Sequence, residues 1–167
     1  VMCLIVMILY WFYPGTRVHP NQILIHHAFA DFIFAASFLI SVHLELSGDA
    51  TCSSSLGHVA SFLTQYSLMA SEISYLCLAV DGLISVSRPF TNTNARYSVY
   101  GITLHTVGIL SAFLLMWCGK NGKHVINICW IQSKSTFVNL ASWEFLYIWV
   151  ILIYCISTVL LIIMSNC

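Results

Sequence analysis

The stretch that decides the fold begins at Cys52 as CSSSLGHVASFL and runs, largely apolar, to Arg88-Pro89. Its apolar part contains only two formal charges, Glu72 and Asp81. A helix rises about 1.5 Å per residue and so crosses a hydrocarbon layer of about 30 Å in about 20 residues. Because the stretch is longer than that, it predicts a long, tilted membrane helix that carries two acids.

The composition of the whole chain favours an integral membrane protein. Of its 167 residues, 59% are hydrophobic and 7% are charged, and the mean hydropathy is +0.88. A soluble domain carries about 25% charged residues, so this chain has too few charges to cover a water-facing surface. The net charge of zero gives no reason to expect nucleic acid as a partner. Without a C-x-x-C motif or a water-facing acid–base pair, we expect no metal, no cofactor and no enzymatic activity.

Five apolar segments predict an all-α, transmembrane helical bundle. The first, 1–13, makes only about 20 Å of helix and is predicted to be the truncated end of a span. The four segments long enough to cross a membrane are 23–44, 56–86, 97–118 and 141–164. The segment between the last two, 119–140, is predicted to be a polar loop.

The inner end of the long stretch resembles the end of the third helix in rhodopsin-like G-protein-coupled receptors. It reads AVDGLISVSRPF, with Asp81 and Pro89-Phe90 at the separation of the family's Ala-Val-Asp-Arg-Tyr-Leu-Ala-Ile, two residues, proline and a hydrophobe. The chain departs from the pattern at the next two positions, where the family arginine is Gly82 and the tyrosine is Leu83. With Gly82 at this position, the chain lacks the arginine through which that family contacts its G protein.

Two other motifs resemble the cyclic-AMP-receptor-like and slime-mould-type group of the same superfamily. Arg17-Val-His-Pro-Asn21, with Asp31 ten residues further on, is similar to that group's Arg-x-x-Pro-Asn start and Leu-Ser-x-Asp body. Cys129-Trp130-Ile131 resembles its Cys-Trp-Ile outer loop. The resemblance implies a fragment that covers helices one to five of a seven-transmembrane receptor fold.

The same resemblance implies a disulfide between Cys52 and Cys129 that pins the outer loop over a ligand cavity. The alternatives are that both are free thiols, or that Cys118 pairs with Cys129. Lysines and arginines number three on each predicted face, so the positive-inside rule does not orient the chain. A disulfide needs an oxidising compartment, and this places both cysteine loops outside the plasma membrane and the arginine loops in the cytoplasm.

Three groups of candidate site residues follow from the resemblance and from helical spacing. The ligand-binding candidates face the outer half of the bundle and are Ser61, Thr64, Gln65, Leu68, Trp143 and Glu144. The candidates for an ion pocket like the sodium pocket of rhodopsin-like receptors are Asp31, Ser67 and Ser71. The candidates that face a G protein are Asp81, Gly82, Arg88, Pro89, Phe90 and Arg96. The alternatives are helix–helix packing, a hydrogen-bonded or protonated acid, and a solvated turn, respectively.

The remaining polar residues of the spans have simpler interpretations. His26 and His27 are predicted to be interfacial side chains near the inner end of the second span rather than metal ligands. His105 is predicted to be a packed, neutral histidine. Glu72 is predicted to be a neutral carboxyl that bonds across to the fourth or fifth span, because an acid inside a membrane needs a partner.

The expected function is that of a receptor embedded in membrane lipid. It would bind an extracellular small-molecule or peptide ligand and transmit the signal to a heterotrimeric G protein. One alternative is an ion- or proton-coupled transporter or channel subunit that uses Asp31, Glu72 and Asp81. Another is a non-signalling membrane protein derived from a receptor. The receptor hypothesis predicts two further spans encoded downstream, whereas the transporter hypothesis predicts an inverted second copy.

Overall fold

The computed structural model describes residues 2–17, 21–46, 52–88, 90, 92–123, 128–132 and 146–165. Within these ranges the chain forms five α-helices, one 3-10 turn and one antiparallel pair of short strands. In chain order they are α1 (Met2–Phe12), the 3-10 turn (Pro14–Thr16), α2 (Asn21–Leu46), α3 (Ser55–Ser87), α4 (Thr93–Trp117), β1 (Asn121–Lys123), β2 (Cys129–Ile131) and α5 (Ile148–Ser165).

Four of these helices, α2 to α5, are long and apolar enough to cross a membrane. The prediction of a helical bundle with membrane-length helices is therefore confirmed, and the chain is a multi-pass membrane protein by helix length and composition. Helix α1 has 11 residues, too few to cross, in keeping with its predicted length. Helix α4 begins at Thr93 rather than at residue 97. Residues 141–145 of the last predicted span lie outside the described part of the chain.

Helix α3 is the centre of the bundle and packs against α2, α4, α5 and the strand pair. Its 33 residues make about 50 Å of helix, longer than the hydrocarbon layer. The helix begins where the Ser54 side chain accepts a hydrogen bond from the Gly57 amide. It ends at Arg88, which has left the helical conformation, as the residue before a proline tends to do.

Helices α3 and α4 approach closely at Gly108. A Cβ atom at this position would lie 2.9 Å from the carbonyl oxygen of Tyr66 and 3.0 Å from its ring. The surrounding core includes the small side chains of Ala30, Ala70 and Ala112. Small residues of this kind let two membrane helices pack backbone to backbone.

Replacement of Gly108 by alanine should therefore destabilise the bundle. The backbone carbonyl of Tyr66 cannot yield without separating the helices, and such overpacking costs about 1–3 kcal/mol. Gly82→Ala is the matched control, because its Cβ would meet only the flexible side chain of Met164, at 3.2 Å. Denaturant unfolding in micelles would measure both variants. Equal stability of the two would show that the close approach at Gly108 is not required.

The segment predicted as a polar loop, 119–140, contains a β-hairpin, which the sequence analysis did not predict. Gly119 adopts a φ of 60° and turns the chain after α4. Strands β1 and β2 then pair with Gly122 opposite Trp130. The segment is polar on average, but its residues Ile128, Trp130 and Ile131 are buried in one cluster with Leu115 of α4, and this burial stabilises the hairpin.

Candidate functional site

The hairpin is covalently tied to the start of α3. Cys52 and Cys129 form a disulfide across 77 residues, with their Cα atoms 5.3 Å apart. The pairing implied by the resemblance is therefore present, and Cys118 is an exposed free thiol. Gly57 makes the turn before α3 feasible, because a Cβ there would lie 2.7 Å from the Cys52 Cα.

Trp130 of β2 is inserted into the bundle and is bonded to it at both its backbone and its ring. Its indole Nε1 donates to Gln65 Oε1 at 2.8 Å, and its carbonyl oxygen accepts from the Ser61 hydroxyl at 2.9 Å. The Gln65 amide donates in turn to Ser111 Oγ on α4 at 2.7 Å. Trp130 also shares a buried apolar cluster with Leu115. One side chain of the hairpin thus joins α3 to α4.

The hairpin and α3 are also bonded to α2. The Cys129 amide donates to Ser41 Oγ at 3.4 Å. On α3, the Thr64 hydroxyl donates to the Ala60 carbonyl at 2.8 Å and lies 3.0 Å from Ser37 Oγ. At the end of the bundle that carries the disulfide, three helices are therefore held by one connected set of polar groups.

In this arrangement the described ligand-binding candidates contact the hairpin or α2. Ser61 and Gln65 bond Trp130, Leu68 packs against the apolar cluster around it, and Thr64 turns to α2. The remaining two candidates, Trp143 and Glu144, lie outside the described residues. In this structure the space expected for a ligand between Ser61, Gln65 and Leu68 is filled by Trp130. The signal that could have indicated this was an aromatic residue directly after the loop cysteine.

The ion-pocket candidates are brought together only in part. The Ser71 hydroxyl donates to Asp31 Oδ1 at 2.9 Å. Ser67 donates to the Thr64 carbonyl of its own helix at 3.0 Å instead. The second carboxylate oxygen of Asp31 lies 3.4 Å from His27 Nε2, one turn earlier on α2. The second contact of the Asp31 carboxylate is thus a histidine and not the second serine of the predicted pocket.

His27 has its partners within the bundle, which its prediction as an interfacial side chain did not include. Its Nδ1 lies 2.9 Å from Ser74 Oγ and 3.1 Å from Ser71 Oγ, and its ring packs edge-on against Tyr75. Residues four apart share a helix face, so His27 and Asp31 lie side by side on α2.

The neighbours of Glu72 also differ from those predicted. Its charged neighbours are His27 and Asp31 on α2, not groups on the fourth or fifth helix. Among the described residues, its buried Oε2 atom has no hydrogen-bond partner. A carboxylate oxygen of this kind inside a membrane helix is costly, and it marks this side of α3 as a place of functional interest.

His26 likewise has its partners within the bundle. Its Nε2 is 2.9 Å from the Tyr97 hydroxyl, and its Nδ1 is 3.0 Å from His105 Nε2. His105 Nδ1 lies 2.7 Å from the Tyr66 hydroxyl. The four side chains form one hydrogen-bonded chain across α2, α3 and α4, and His105 is a packed histidine as expected. No short-range pattern links residues 26 and 105, so the pair could not be predicted.

The end of α3 remote from the disulfide carries a buried ion pair. Arg96 Nη1 lies 3.1 Å from Asp81 Oδ1, and their side chains are 15% and 5% exposed. Gly82 faces Met164 near the end of α5. Arg88 and Phe90 are exposed, whereas Pro89 lies outside the described residues. Two of the six G-protein candidates thus bond each other, across α3 and α4.

The chain offers no metal centre in its described part, where no group of three or more His, Cys, Asp or Glu side chains is placed to hold an ion. Comparison with known proteins adds no family assignment. No protein-family model matches the chain, and no curated protein matches it.

Proposed function

We propose that the chain is the ligand-sensing part of a G-protein-coupled receptor at the plasma membrane. An extracellular small-molecule or peptide ligand would act on the disulfide-tied hairpin, and a heterotrimeric G protein would bind the opposite end of the bundle. The observation that carries the proposal is the insertion of Trp130 between α3 and α4. It gives the hairpin a direct contact with both helices.

The same two helices are joined again at their other ends. Gln65 and Asp81 are sixteen residues apart on α3, which is about 24 Å of helix. At the first position α3 meets α4 through Trp130 and Ser111, and at the second through Arg96. A ligand with different affinities for two packings of α3 on α4 would shift their populations, and the Asp81–Arg96 contact would change with them.

A transporter or channel subunit is the second candidate function. The observation that favours it is the polar cluster of His27, Asp31, Ser71 and Glu72 within two membrane-length helices. Intramembrane ionisable groups of this kind are characteristic of ion and proton paths.

Binding of purified G-protein heterotrimers to the chain in nanodiscs separates the two functions. The receptor proposal predicts that one class of heterotrimer binds and that Phe90→Ala weakens the binding by about tenfold, because exposed aromatic anchors dominate such contacts. Phe113→Ala is the matched control, since this phenylalanine is exposed on α4 away from the loop.

The transporter candidate predicts a different set of results. If no class of heterotrimer binds, and if liposomes containing the chain conduct protons or sodium ions in a manner abolished by Asp31→Asn, the transporter replaces the receptor. An epitope inserted beside Gly122 should be labelled from outside intact cells. Labelling only after permeabilisation would reverse the proposed orientation and so remove the extracellular ligand.

A further inference from the structure

The hydrogen-bonded chain Tyr97–His26–His105–Tyr66 uses all four nitrogen atoms of its two imidazole rings. The rings of His26 and His105 meet edge to face, with centroids 5.0 Å apart and an interplanar angle of 73°. Each ring nitrogen thus has one defined partner. The contact joins α2 to α4 directly.

The groups that face this histidine pair are neutral. Tyr66 on α3 and Tyr97 on α4 bond the rings, and Tyr10 on α1 lies beside Tyr97. His27, the neighbour on α2, is engaged with serines and an aspartate on the other side. Among the described residues, no carboxylate contacts the ring of His26 or of His105. A charge on the pair therefore has no counter-ion in contact with it.

One end of the chain of hydrogen bonds is accessible. His26 and Tyr97 line an open cavity of about 320 Å³ together with Ser98, Gly101 and Ile102. Gly101 contributes directly, because a Cβ at that position would lie 3.2 Å from His26 Nε2. The other end stops at Tyr66 in the apolar cluster around Ala70 and Leu104. The chain of hydrogen bonds thus opens on a cavity at Tyr97 and ends among apolar side chains at Tyr66.

The number of protons on the two rings determines whether the hydrogen bond between them can form. A neutral imidazole has one N–H donor and one acceptor nitrogen, and an imidazolium has two donors. The 3.0 Å contact between His26 Nδ1 and His105 Nε2 requires one donor and one acceptor. It forms when both rings are neutral and also when one ring carries an extra proton. With two extra protons, two N–H groups would face each other and the contact would be lost.

We propose that the His26–His105 pair is a proton-binding site that holds α2 and α4 together only while it carries at most one extra proton. Uptake of a second proton through the cavity at Tyr97 would then loosen this part of the bundle. The inference is independent of the proposed receptor function, because it concerns only the packing of the helices.

The number of protons bound by the folded and unfolded states determines how the stability of the protein changes with pH. In the unfolded chain both histidines take up a proton as the pH falls below about 6.5. The folded pair takes up at most one, so the unfolded state binds more protons in this range. Stability must therefore decrease as the pH falls.

Thermal unfolding of the full chain in nanodiscs at pH values from about 8 to about 5 tests the proposal. The melting temperature of the wild type should fall over this range by about 4 °C more than that of the His26→Gln/His105→Gln double variant. Glutamine retains a donor and an acceptor but does not titrate. His43→Gln, at an exposed position of α2, is the control and should behave like the wild type. Identical pH profiles for the wild type and the double variant would overturn the proposal.

A second measurement does not depend on the variants folding. Nitrogen-15 spectra of the histidine-labelled wild type count the N–H groups on each ring. We expect no more than three N–H groups on the pair for as long as the contact between His26 Nδ1 and His105 Nε2 persists. Four N–H groups with that contact intact would show that the folded pair accepts the second extra proton, and the proposal would fail.

Discussion

Trp130→Ala is expected to lower the free energy of unfolding by about 3–5 kcal/mol, the range for the loss of a large buried aromatic side chain. Trp130 is 6% exposed and packs in the cluster that contains Leu115. Its removal also leaves Gln65 Oε1 without the indole donor that it has in the wild type. Chemical unfolding in micelles would measure the change. Trp117→Ala is the matched control, because that tryptophan is 83% exposed near the end of α4.

A milder variant separates the two contributions of Trp130. Trp130→Phe keeps one aromatic ring in the cluster and removes the indole N–H together with part of the apolar contact, so it should cost less than Trp130→Ala but at least about 1–3 kcal/mol for the acceptor left unsatisfied. A loss as small as that of Trp117→Ala in both Trp130 variants would mean that the indole is not held in the bundle. The attribution of receptor coupling to this residue would then lose its basis.

Asp81→Asn is expected to destabilise the opposite end of α3 by about 3 kcal/mol, because removal of one partner leaves a buried charge uncompensated. The Arg96 side chain is 15% exposed, so some water remains to offset the loss, and the lower end of the usual range applies. Arg96→Gln should cost a similar amount. The measurement is again unfolding in micelles, with Lys120→Gln at an exposed position outside the helices as the control.

The double variant Asp81→Asn/Arg96→Gln provides the decisive comparison. If the two side chains stabilise each other, the double variant should be less destabilised than the sum of the single variants by roughly 1–3 kcal/mol. Strict additivity would show that the two groups act independently and that no ion pair links α3 to α4 at this end.

The positions of the membrane-length helices could be predicted because hydropathy is a property of long segments. A run such as 56–86 remains apolar on average even with Glu72 and Asp81 inside it. The disulfide was predicted from the resemblance rather than from spacing, since seven cysteines allow many pairings.

The interior polar contacts could not be predicted to the same extent. The bond between His26 and His105 joins residues 79 positions apart, and no periodic pattern records such a contact. The hairpin was missed because strands of three residues are too short to show alternation. The pairing of His27 with Asp31 is different, because their separation of four residues was visible in the sequence and indicated a shared helix face.

The Cys52–Cys129 bond makes a covalent ring of the polypeptide that contains α3 and α4. Tension applied at the two ends of the chain would pass through the sulfur atoms and bypass that ring. The enclosed 77-residue separation corresponds to roughly 260 Å of extended chain, which would stay mechanically hidden until the bond is reduced. The helices that carry the Trp130 contacts and the Asp81–Arg96 pair are thus shielded from forces that pull on α1, α2 or α5.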